Sequence, residues 1–528
     1  RGDRRREAGA TPGGPLRRRG SRQGDVVHSK LWHLPGQPSA GYAQNGYAAF
    51  RSSQANRAAM LYVGGNDGML HAFDAASGEE KLAYVPEGLH PSLAELTRPG
   101  YVHRYYVDGS PFSADWWNGS AWATALASPL GAGGKGYVVL DVTDPDRFAA
   151  ANAGSLVLLD TTASGDPDLG HIFSEPVMER SDPTLTRQIT RLNNGRWALV
   201  TGNGYNSASE KAVLLIQYLD GGRELARITA DGTGGNGNGL SAPRLVDLNG
   251  DKVPDVAYAG DLLGNLWKFD LSSASAGDWK TAFGNAPLYV AADAAGMRQS
   301  ITSAPLHVPH PDGGLMVVFG TGRTLSDADR GAAAAQTVYG IHDNTPIAIA
   351  AASPSLGAVT LDAGAAGVSG RDALVAQSIA PHPAGTTSDT GTPVHLLSSN
   401  PVDYGGSSPR RGWYLDLPAP RERVTDNPTW FDGDLIDIHS LVPAIGPADQ
   451  AYLTTLNAVN GQAPTSQIYA YAPGEGGAVN GARVQTGLGI GLRGSATERR
   501  LGAPGSLPLP ERRLLGKVTL RPSWRQLQ

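Results

Sequence analysis

The chain has 528 residues, of which 40% are hydrophobic, with 69 Gly, 37 Pro and no Cys. This composition is typical of a turn-rich globular protein rather than of low-complexity disorder, and it excludes a disulfide framework and thiolate chemistry. The net charge of −5 is unevenly spread, because residues 1–30 carry nine Lys and Arg against three Asp and Glu, and residues 481–528 carry nine against two.

The basic segment at the start of the chain, residues 1–23, is predicted to be disordered. Its arginines stand among Gly and Pro without interleaved aromatic residues, so the pattern does not favour a nucleic-acid-binding surface. The chain begins at Arg1, without the apolar core of a signal peptide, and no apolar run is long enough to span a membrane. We therefore expect a fragment or a processed form.

The first clear structural signal is a strand–turn–strand pattern at residues 62–74, with the sequence YVGGNDGMLHAFD. It recurs without a gap at residues 258–270, YAGDLLGNLWKFD, with Tyr, both Gly, Leu, Phe and Asp at equivalent positions. Looser relatives lie at residues 136–141, 197–204, 316–322, 338–342, 412–416 and 467–471. Repeated β units of this kind predict an all-β fold and favour a β-propeller over a β-sandwich.

Two Ala- and Gly-rich inserts, residues 291–296 and 348–370, interrupt the repeats, and we expect both to be loops. Trp116, Trp117 and Trp122 form an aromatic group that either packs in the core or offers a ligand platform. Core packing is the commoner role of Trp in a β protein.

The turn at residues 247–255, DLNGDKVPD, has the pattern of a calcium loop. Calcium collects six to eight oxygens, and loops supply them at alternate positions. The predicted ligands are the side chains of Asp247, Asn249, Asp251 and Asp255 and the backbone carbonyl of Val253.

The loop is not an EF-hand, because Lys252 and Tyr258 stand where that motif has Gly and a bidentate Glu. Its β-prone flanks predict that it joins two strands. A metal-free turn is the alternative, since Asp, Asn and Gly also favour turns. Three carboxylates within nine residues repel one another without a cation, which favours calcium.

In this order, the motifs resemble the C-terminal propeller domain of the PilY family of type IV pilus biogenesis factors and tip adhesins. The resemblance covers most of residues 24–475 and depends on the motifs GDVVHS (24–29), YAAFR (47–51), MLYVGGNDGMLHAF (60–73), YVDGSP (106–111), GAGGKGYVVLDVTDP (131–145), GNGYNS (202–207) and the calcium loop. It implies a modified, seven-bladed propeller with calcium at Asp247, Asn249, Asp251, Val253 and Asp255. Residues 476–528 match poorly, and we expect them to close the last blade.

The resemblance also implies a function and a location. Members of the family are exported through the periplasm to the fimbrium and cell surface. There they prime pilus assembly with minor pilins, oppose retraction in a calcium-dependent way, and support surface attachment and twitching motility.

The main alternative is a quinoprotein dehydrogenase, whose propeller repeats are similar and which uses calcium beside a quinone cofactor. The chain has no Cys for the disulfide typical of many such enzymes, and its predicted ligands lie in one local loop. A structural or regulatory ion in a protein that is not an enzyme is the favoured interpretation. A metal-free β scaffold remains a third possibility.

Overall fold

The computed structural model describes residues 16–17, 21, 23–173, 175–180, 182, 185–230, 237–351, 357–381, 394–444, 449–465, 481–484, 491–494, 498–502 and 511–514. Nearly all of the basic segment 1–23 and the predicted repeat at residues 467–471 therefore lie outside the described residues. The described chain is built from β-strands, which confirms the all-β prediction.

The strands, in chain order, are β1 (Trp32–Leu34), β2 (Met60–Gly65), β3 (Met69–Asp74), β4 (Glu80–Tyr84), β5 (Phe112–Trp117), β6 (Trp122–Pro129), β7 (Tyr137–Asp141), β8 (Val157–Asp160), β9 (Ile189–Arg191), β10 (Trp197–Gly202), β11 (Ala212–Tyr218), β12 (Leu225–Ala230), β13 (Arg244–Val246), β14 (Val256–Gly260), β15 (Asn265–Asp270), β16 (Lys280–Thr281), β17 (Tyr289–Val290), β18 (Leu306–Pro309), β19 (Leu315–Gly320), β20 (Thr337–Asp343), β21 (Ile347–Ile349), β22 (Val359–Leu361), β23 (Val375–Gln377), β24 (Ile379–Pro381), β25 (Val394–Leu397), β26 (Gly412–Asp416), β27 (Thr429–Asp432), β28 (Leu435–Val442), β29 (Gln450–Asn457), β30 (Gly481–Val484), β31 (Gly491–Gly494), β32 (Glu498–Gly502) and β33 (Glu511–Leu514).

Helices in the described residues are short. The α-helices are α1 (Tyr47–Ser53), α2 (Ala153–Leu156) and α3 (Asp327–Gly331). The 3₁₀ segments are Glu87–Thr97, Gly131–Gly133, Pro145–Arg147, Ala150–Asn152, Ala276–Asp278 and Arg371–Ala373. Within the described part of the chain, no helix is long and apolar enough to cross a membrane.

The chain divides into two compact units. Unit 1 comprises Arg1–Leu262, Trp267–Pro287 and Ile347–Gly364, and unit 2 comprises Leu263–Leu266, Leu288–Pro346 and Ala365–Gln528.

Unit 1 contains successive antiparallel four-stranded sheets of adjacent strands, β1–β4, β5–β8 and β9–β12, followed by the sheet ordered β13-β14-β15-β16. Each sheet is a meander, in which every strand pairs with the next along the chain. The middle strands are buried on both faces, as in β6 and β11, where every residue is buried. Such strands need a packed layer on either side, which suits the blades of a propeller.

The two repeats predicted at residues 62–74 and 258–270 form hairpins in the structure. The first comprises β2 and β3, with Tyr62 opposite Ala72 and Gly64 opposite Leu70. The second comprises β14 and β15. The turn glycines Gly68 and Gly264 have φ values of 94° and 81°, a left-handed conformation that glycine adopts without strain.

An aromatic cluster lies in the core of unit 1. The rings of Trp122 and Tyr42 are stacked with centroids 5.0 Å apart, and Tyr47 and Trp197 approach Trp122 edge-on at 4.8 and 5.4 Å. Only 6% of Trp122 is exposed. The cluster therefore confirms core packing, rather than a ligand platform, as the role of Trp122.

Unit 2 is built around the sheet β18-β19-β20-β26-β23 and the six-stranded sheet β24-β25-β30-β29-β28-β27. β23 runs parallel to β26, whereas the other pairs of the first sheet are antiparallel. Trp413 is fully buried in the core of this unit and donates a hydrogen bond from Nε1 to the carbonyl oxygen of Ala458. β30, from the poorly matching segment 476–528, pairs with both β25 and β29.

The expectation that residues 348–370 form a loop was wrong in part. The insert is not simply a loop, because β21 and β22 form an antiparallel hairpin with Ile347 opposite Leu361 and Ile349 opposite Val359. The alternation of branched apolar residues in Val359–Leu361 gives this stretch β propensity, which its Ala- and Gly-rich surroundings obscured.

Candidate metal centre

Loop 247–255 joins β13 to β14, as predicted. The two strands pair with Val246 opposite Val256, and the amide of Asp255 donates to the carbonyl oxygen of Val246 over 2.9 Å. The loop therefore leaves and re-enters the sheet at adjacent positions. Its ends are fixed by the strand pairing, and its interior must satisfy its own backbone amides.

Side chains of the loop accept those amides. Asp247 Oδ1 accepts from the amides of Asn249 and Gly250 at 3.2 and 2.6 Å, and Asp247 Oδ2 accepts from Lys252 at 2.7 Å. Asn249 Oδ1 accepts from the amide of Asp251 at 3.0 Å. Asp247 and Asn249, two positions apart, thus cap the amides of the turn, and calcium loops use side chains with this alternate spacing.

Two left-handed residues bend the backbone around this interior. Gly250 has a φ of 82° and Lys252 a φ of 68°. Lys252 occupies the sixth position of the loop. In an EF-hand this position is glycine, because glycine adopts a positive φ without strain. A lysine in this conformation is strained, because its Cβ crowds the backbone.

Asp255 is the most buried of the predicted ligands, with 1% of its surface exposed. Its Oδ2 accepts from the amide of Leu248 at 2.8 Å, and its Oδ1 accepts from Asn193 Nδ2 at 3.4 Å. Burial, together with the negative charges of Asp247 and Asp251, raises the pKa of Asp255 to about 6. The three carboxylates thus act on one another electrostatically, and a cation among them would relieve the repulsion.

Two basic side chains border the loop. Arg187 donates from Nε to Glu179 Oε2 at 2.8 Å and lies with Nη1 3.4 Å from Asp247 Oδ2. Lys252 turns away from the loop interior, and its Nζ donates to the carbonyl oxygens of Ala40, at 3.0 Å, and Gly41. Of these two side chains, Arg187 is the one that forms an ion pair with a predicted ligand.

Asn249 has a partner that the sequence did not indicate. Its Nδ2 donates a hydrogen bond to the carbonyl oxygen of Gly357, at 3.1 Å and 108 residues further along the chain. Gly357 precedes β22, and both residues belong to unit 1. The loop therefore contacts the β21–β22 hairpin through one of its predicted ligands.

The donor set fits calcium in type and number. It offers three carboxylates and the Asn249 amide oxygen, and no described residue donates a hydrogen bond to the carbonyl oxygen of Val253. Among the described residues, however, no three His, Cys, Asp or Glu side chains already converge as a closed metal shell. Binding would therefore require side chains to turn inward, and the exposed Asp251 has the most freedom to do so.

His307 and His310 lie three residues apart, and they are not part of any metal-binding cluster of His, Cys, Asp or Glu in the described residues. His307 lies in β18 and His310 follows it, so a strand rather than a helix separates them. The ring of His310 instead stacks on His342, with centroids 3.8 Å apart, and meets Tyr404 edge-on at 4.3 Å. Burial lowers the pKa of His310 to about 4, which keeps its imidazole neutral.

Comparisons with known proteins identify relatives of most of the chain. A family model described as the PilY1 beta-propeller domain matches residues 24–361. The type IV pilus biogenesis factor PilY1 of Pseudomonas aeruginosa PAO1 is 39% identical over an alignment of 454 residues, and the match covers 79% of this chain and 36% of that protein. A PilY1 homolog of Xylella fastidiosa Temecula1 is 33% identical over an alignment of 502 residues, and the match covers 89% of this chain and 31% of the relative.

A solved structure of the same family is also similar to this chain. The crystal structure of the Pseudomonas aeruginosa PilY1 C-terminal domain has a TM-score of 0.70 and 32% sequence identity, and the match covers 89% of this chain and 95% of that domain. The chain thus spans about a third of the length of the curated relatives that it matches, and nearly all of the solved domain.

Proposed function

This chain belongs to the PilY1 β-propeller family, and on that premise we propose that it takes part in type IV pilus biogenesis, with loop 247–255 as a calcium site that regulates it. The observation that carries the metal proposal is the oxygen-rich turn between β13 and β14, which lies within the matched residues 24–361. Its ligands are the side chains of Asp247, Asn249, Asp251 and Asp255 and the carbonyl oxygen of Val253.

Calcium has a structural or regulatory role in this proposal, and the chain is not an enzyme. All five ligands come from nine consecutive residues, and the buried Asp255 anchors one end of the loop between its strands. A catalytic ion needs an open position for substrate beside its ligands. A nine-residue turn that closes on itself instead suits an ion that sets the shape of one loop.

The pilus role follows from the relatives that bear the name of type IV pilus biogenesis factor. We place the chain at the fimbrium and cell surface, where it acts with the pilus machinery, including minor pilins. Calcium in the loop favours pilus extension over retraction, and the propeller supports adhesion to surfaces and twitching motility.

Calcium titration by calorimetry on the purified chain tests the metal site. We expect binding heat and a rise in melting temperature, because a ligand that binds only the native state stabilises it by about 2.7 kcal/mol at a hundred times its Kd. The Asp251→Ala variant loses both, since it removes the exposed carboxylate of the loop. Asp293→Ala is the matched control, because Asp293 accepts turn amides from Ala295 and Met297 outside the loop. Equal heats for the wild type and Asp251→Ala would refute the site.

The cellular role is tested with the same substitutions in the full-length protein. We expect Asp251→Ala to lower surface piliation and twitching, and Asp293→Ala to leave both unchanged. A gene-deletion strain shows how much piliation and twitching fall when the protein is absent. Normal piliation and twitching in the Asp251→Ala strain, with the protein present at its usual level, would show that the loop does not regulate pili.

A further inference from the structure

The side-chain amide of Asn249 has two different ends, and each has a fixed partner. Its oxygen accepts from the amide of Asp251 at 3.0 Å, and its nitrogen donates to the carbonyl oxygen of Gly357 at 3.1 Å. A backbone N–H can only donate and a backbone carbonyl can only accept. The two contacts therefore specify the same orientation of the amide, with oxygen toward the loop interior and nitrogen toward the hairpin.

The hairpin that Asn249 holds has little stability of its own. β21 and β22 form an isolated two-stranded sheet, which is marginal in water without further packing. Ile347 and Ile349 are 42% and 37% exposed, whereas Val359 is buried at 3%. One side chain of the described hairpin thus provides a firm apolar anchor.

Besides the buried Val359, one hydrogen bond in the described part of the chain attaches the hairpin to the rest of unit 1. Among the described residues, the bond from Asn249 to Gly357 is the hydrogen bond that joins the hairpin to the rest of unit 1. Inside the hairpin, the amides of Ala350 and Gly357 bond to the carbonyl oxygens of Ala358 and Ala350. Segments with so few links open locally at low free-energy cost.

We propose that calcium in loop 247–255 docks the β21–β22 hairpin through the Asn249 amide. The inference rests on the proposed calcium site. When the amide oxygen ligates the ion, the amide can no longer rotate, and its N–H₂ group stays directed at Gly357. The ion also withdraws electron density from the amide, which makes its nitrogen a better donor.

The coupling works in both directions. A docked hairpin holds the Asn249 oxygen in its ligating orientation before the ion arrives, so hairpin docking raises calcium affinity by the same factor as calcium raises docking. The net contribution of one hydrogen bond corresponds to a roughly five-fold change in an equilibrium constant. We therefore expect hydrogen exchange of the hairpin amides to slow about five-fold in saturating calcium.

Hydrogen exchange and calorimetry on the 528-residue chain test the proposal, with the Asn249→Asp variant. Aspartate keeps an oxygen ligand for calcium but replaces the donor nitrogen with a second oxygen, which repels the carbonyl of Gly357. We expect Asn249→Asp to bind calcium while exchange in peptides containing β21 and β22 no longer responds to it. Asn118→Asp is the matched control, because Asn118 Oδ1 accepts turn amides from Ser120 and Ala121 and aspartate can do the same.

The outcomes separate this inference from the calcium site itself. Calcium heat in the wild type without any change in hairpin exchange would overturn the coupling and leave the calcium site standing. An equal calcium response of the hairpin in Asn249→Asp would show that the amide nitrogen is not the link. Absence of calcium heat in the wild type would overturn the site and the coupling together.

Discussion

Lys252 and Ala40 are 212 residues apart in the chain, and Lys252 Nζ donates a 3.0 Å hydrogen bond to the carbonyl oxygen of Ala40. The ammonium group also lies 5.6 Å from the centroid of the Tyr42 ring, which belongs to the aromatic cluster around Trp122. Burial lowers the pKa of Lys252, with a smaller contribution from the Arg187 charge. The sixth residue of the loop therefore connects it to the core of unit 1.

The backbone of Lys252 and its side chain have opposite effects on stability, which two substitutions separate. Lys252→Gly and Lys252→Ala both lose the bond to Ala40, but only glycine relieves the positive φ of 68°. We expect Lys252→Gly to be more stable than Lys252→Ala by about 1 kcal/mol, measured by chemical denaturation. Lys280, in strand β16, is the control, and there we expect the Ala variant to be more stable than the Gly variant. If Lys252→Ala were at least as stable as Lys252→Gly, the prediction would be wrong.

Arg187 competes with any cation for Asp247, because its Nη1 lies 3.4 Å from Asp247 Oδ2. We expect Arg187→Met to raise calcium affinity by roughly three- to ten-fold at low ionic strength, since one nearby positive charge is removed. Calorimetric titration measures the change. Arg227→Met removes an arginine that pairs with Asp168 instead, and it should leave the affinity unaltered. If Arg187→Met bound calcium more weakly than the wild type, the guanidinium would stabilise the loop more than it competes with calcium for Asp247.

Trp122 should be among the most important side chains for the stability of unit 1. Besides its ring contacts, its Nε1 donates to the carbonyl oxygen of Asn45 at 3.0 Å. We expect Trp122→Ala to cost about 3–5 kcal/mol, because it opens a large cavity in the core. Trp117→Ala should cost less, since Trp117 is only partly buried. Denaturation curves measure both changes, and similar losses would argue against a central role for Trp122.

We expect the buried His310 to make unit 2 sensitive to acid. The titratable and charged groups that act on it or contact it are His342, Asp312 and Tyr404. Asp343 and Arg411 act in turn on His342. Its pKa is near 4 in the folded chain and near 6.5 when unfolded, so the unfolded state binds the proton first. The stability from this group is therefore complete above pH 6.5 and is lost as the pH falls toward 4.

A phenylalanine at position 310 keeps an aromatic ring against His342 but cannot take up a proton. We expect the fall in melting temperature between pH 7 and pH 5 to be smaller in His310→Phe than in the wild type by about 3 °C. His33→Phe, at an exposed position of β1, is the matched control. If the melting temperatures of the wild type and His310→Phe fell equally between pH 7 and pH 5, His310 would not be the cause of the acid sensitivity.

The repeated hairpins could be predicted from the sequence because their signal is local. Gly68 and Gly264 each occupy a turn position with positive φ, and the alternating residues around them match the pleat of the strands. The family model that matches residues 24–361 confirms the propeller assignment. The number of blades remains a prediction.

Loop 247–255 was predictable in outline but not in its surroundings. Its spacing placed it correctly between two strands, whereas its contacts with Arg187, Gly357 and Ala40 join positions 60, 108 and 212 residues away. Such contacts depend on how the sheets pack, and no local pattern encodes them. The β21–β22 hairpin was missed for a related reason, because its strands are three residues long and lie in an Ala-rich insert.

The distance in sequence between Asn249 and Gly357 also sets an order of events during synthesis. A chain made from its N-terminus completes the loop at Asp255 while Gly357, 108 residues after Asn249, is still to come. At that stage β13 and β14 can already pair, but the Asn249 nitrogen has no partner. On the proposed calcium site, the newly made loop binds the ion more weakly until the later hairpin has formed.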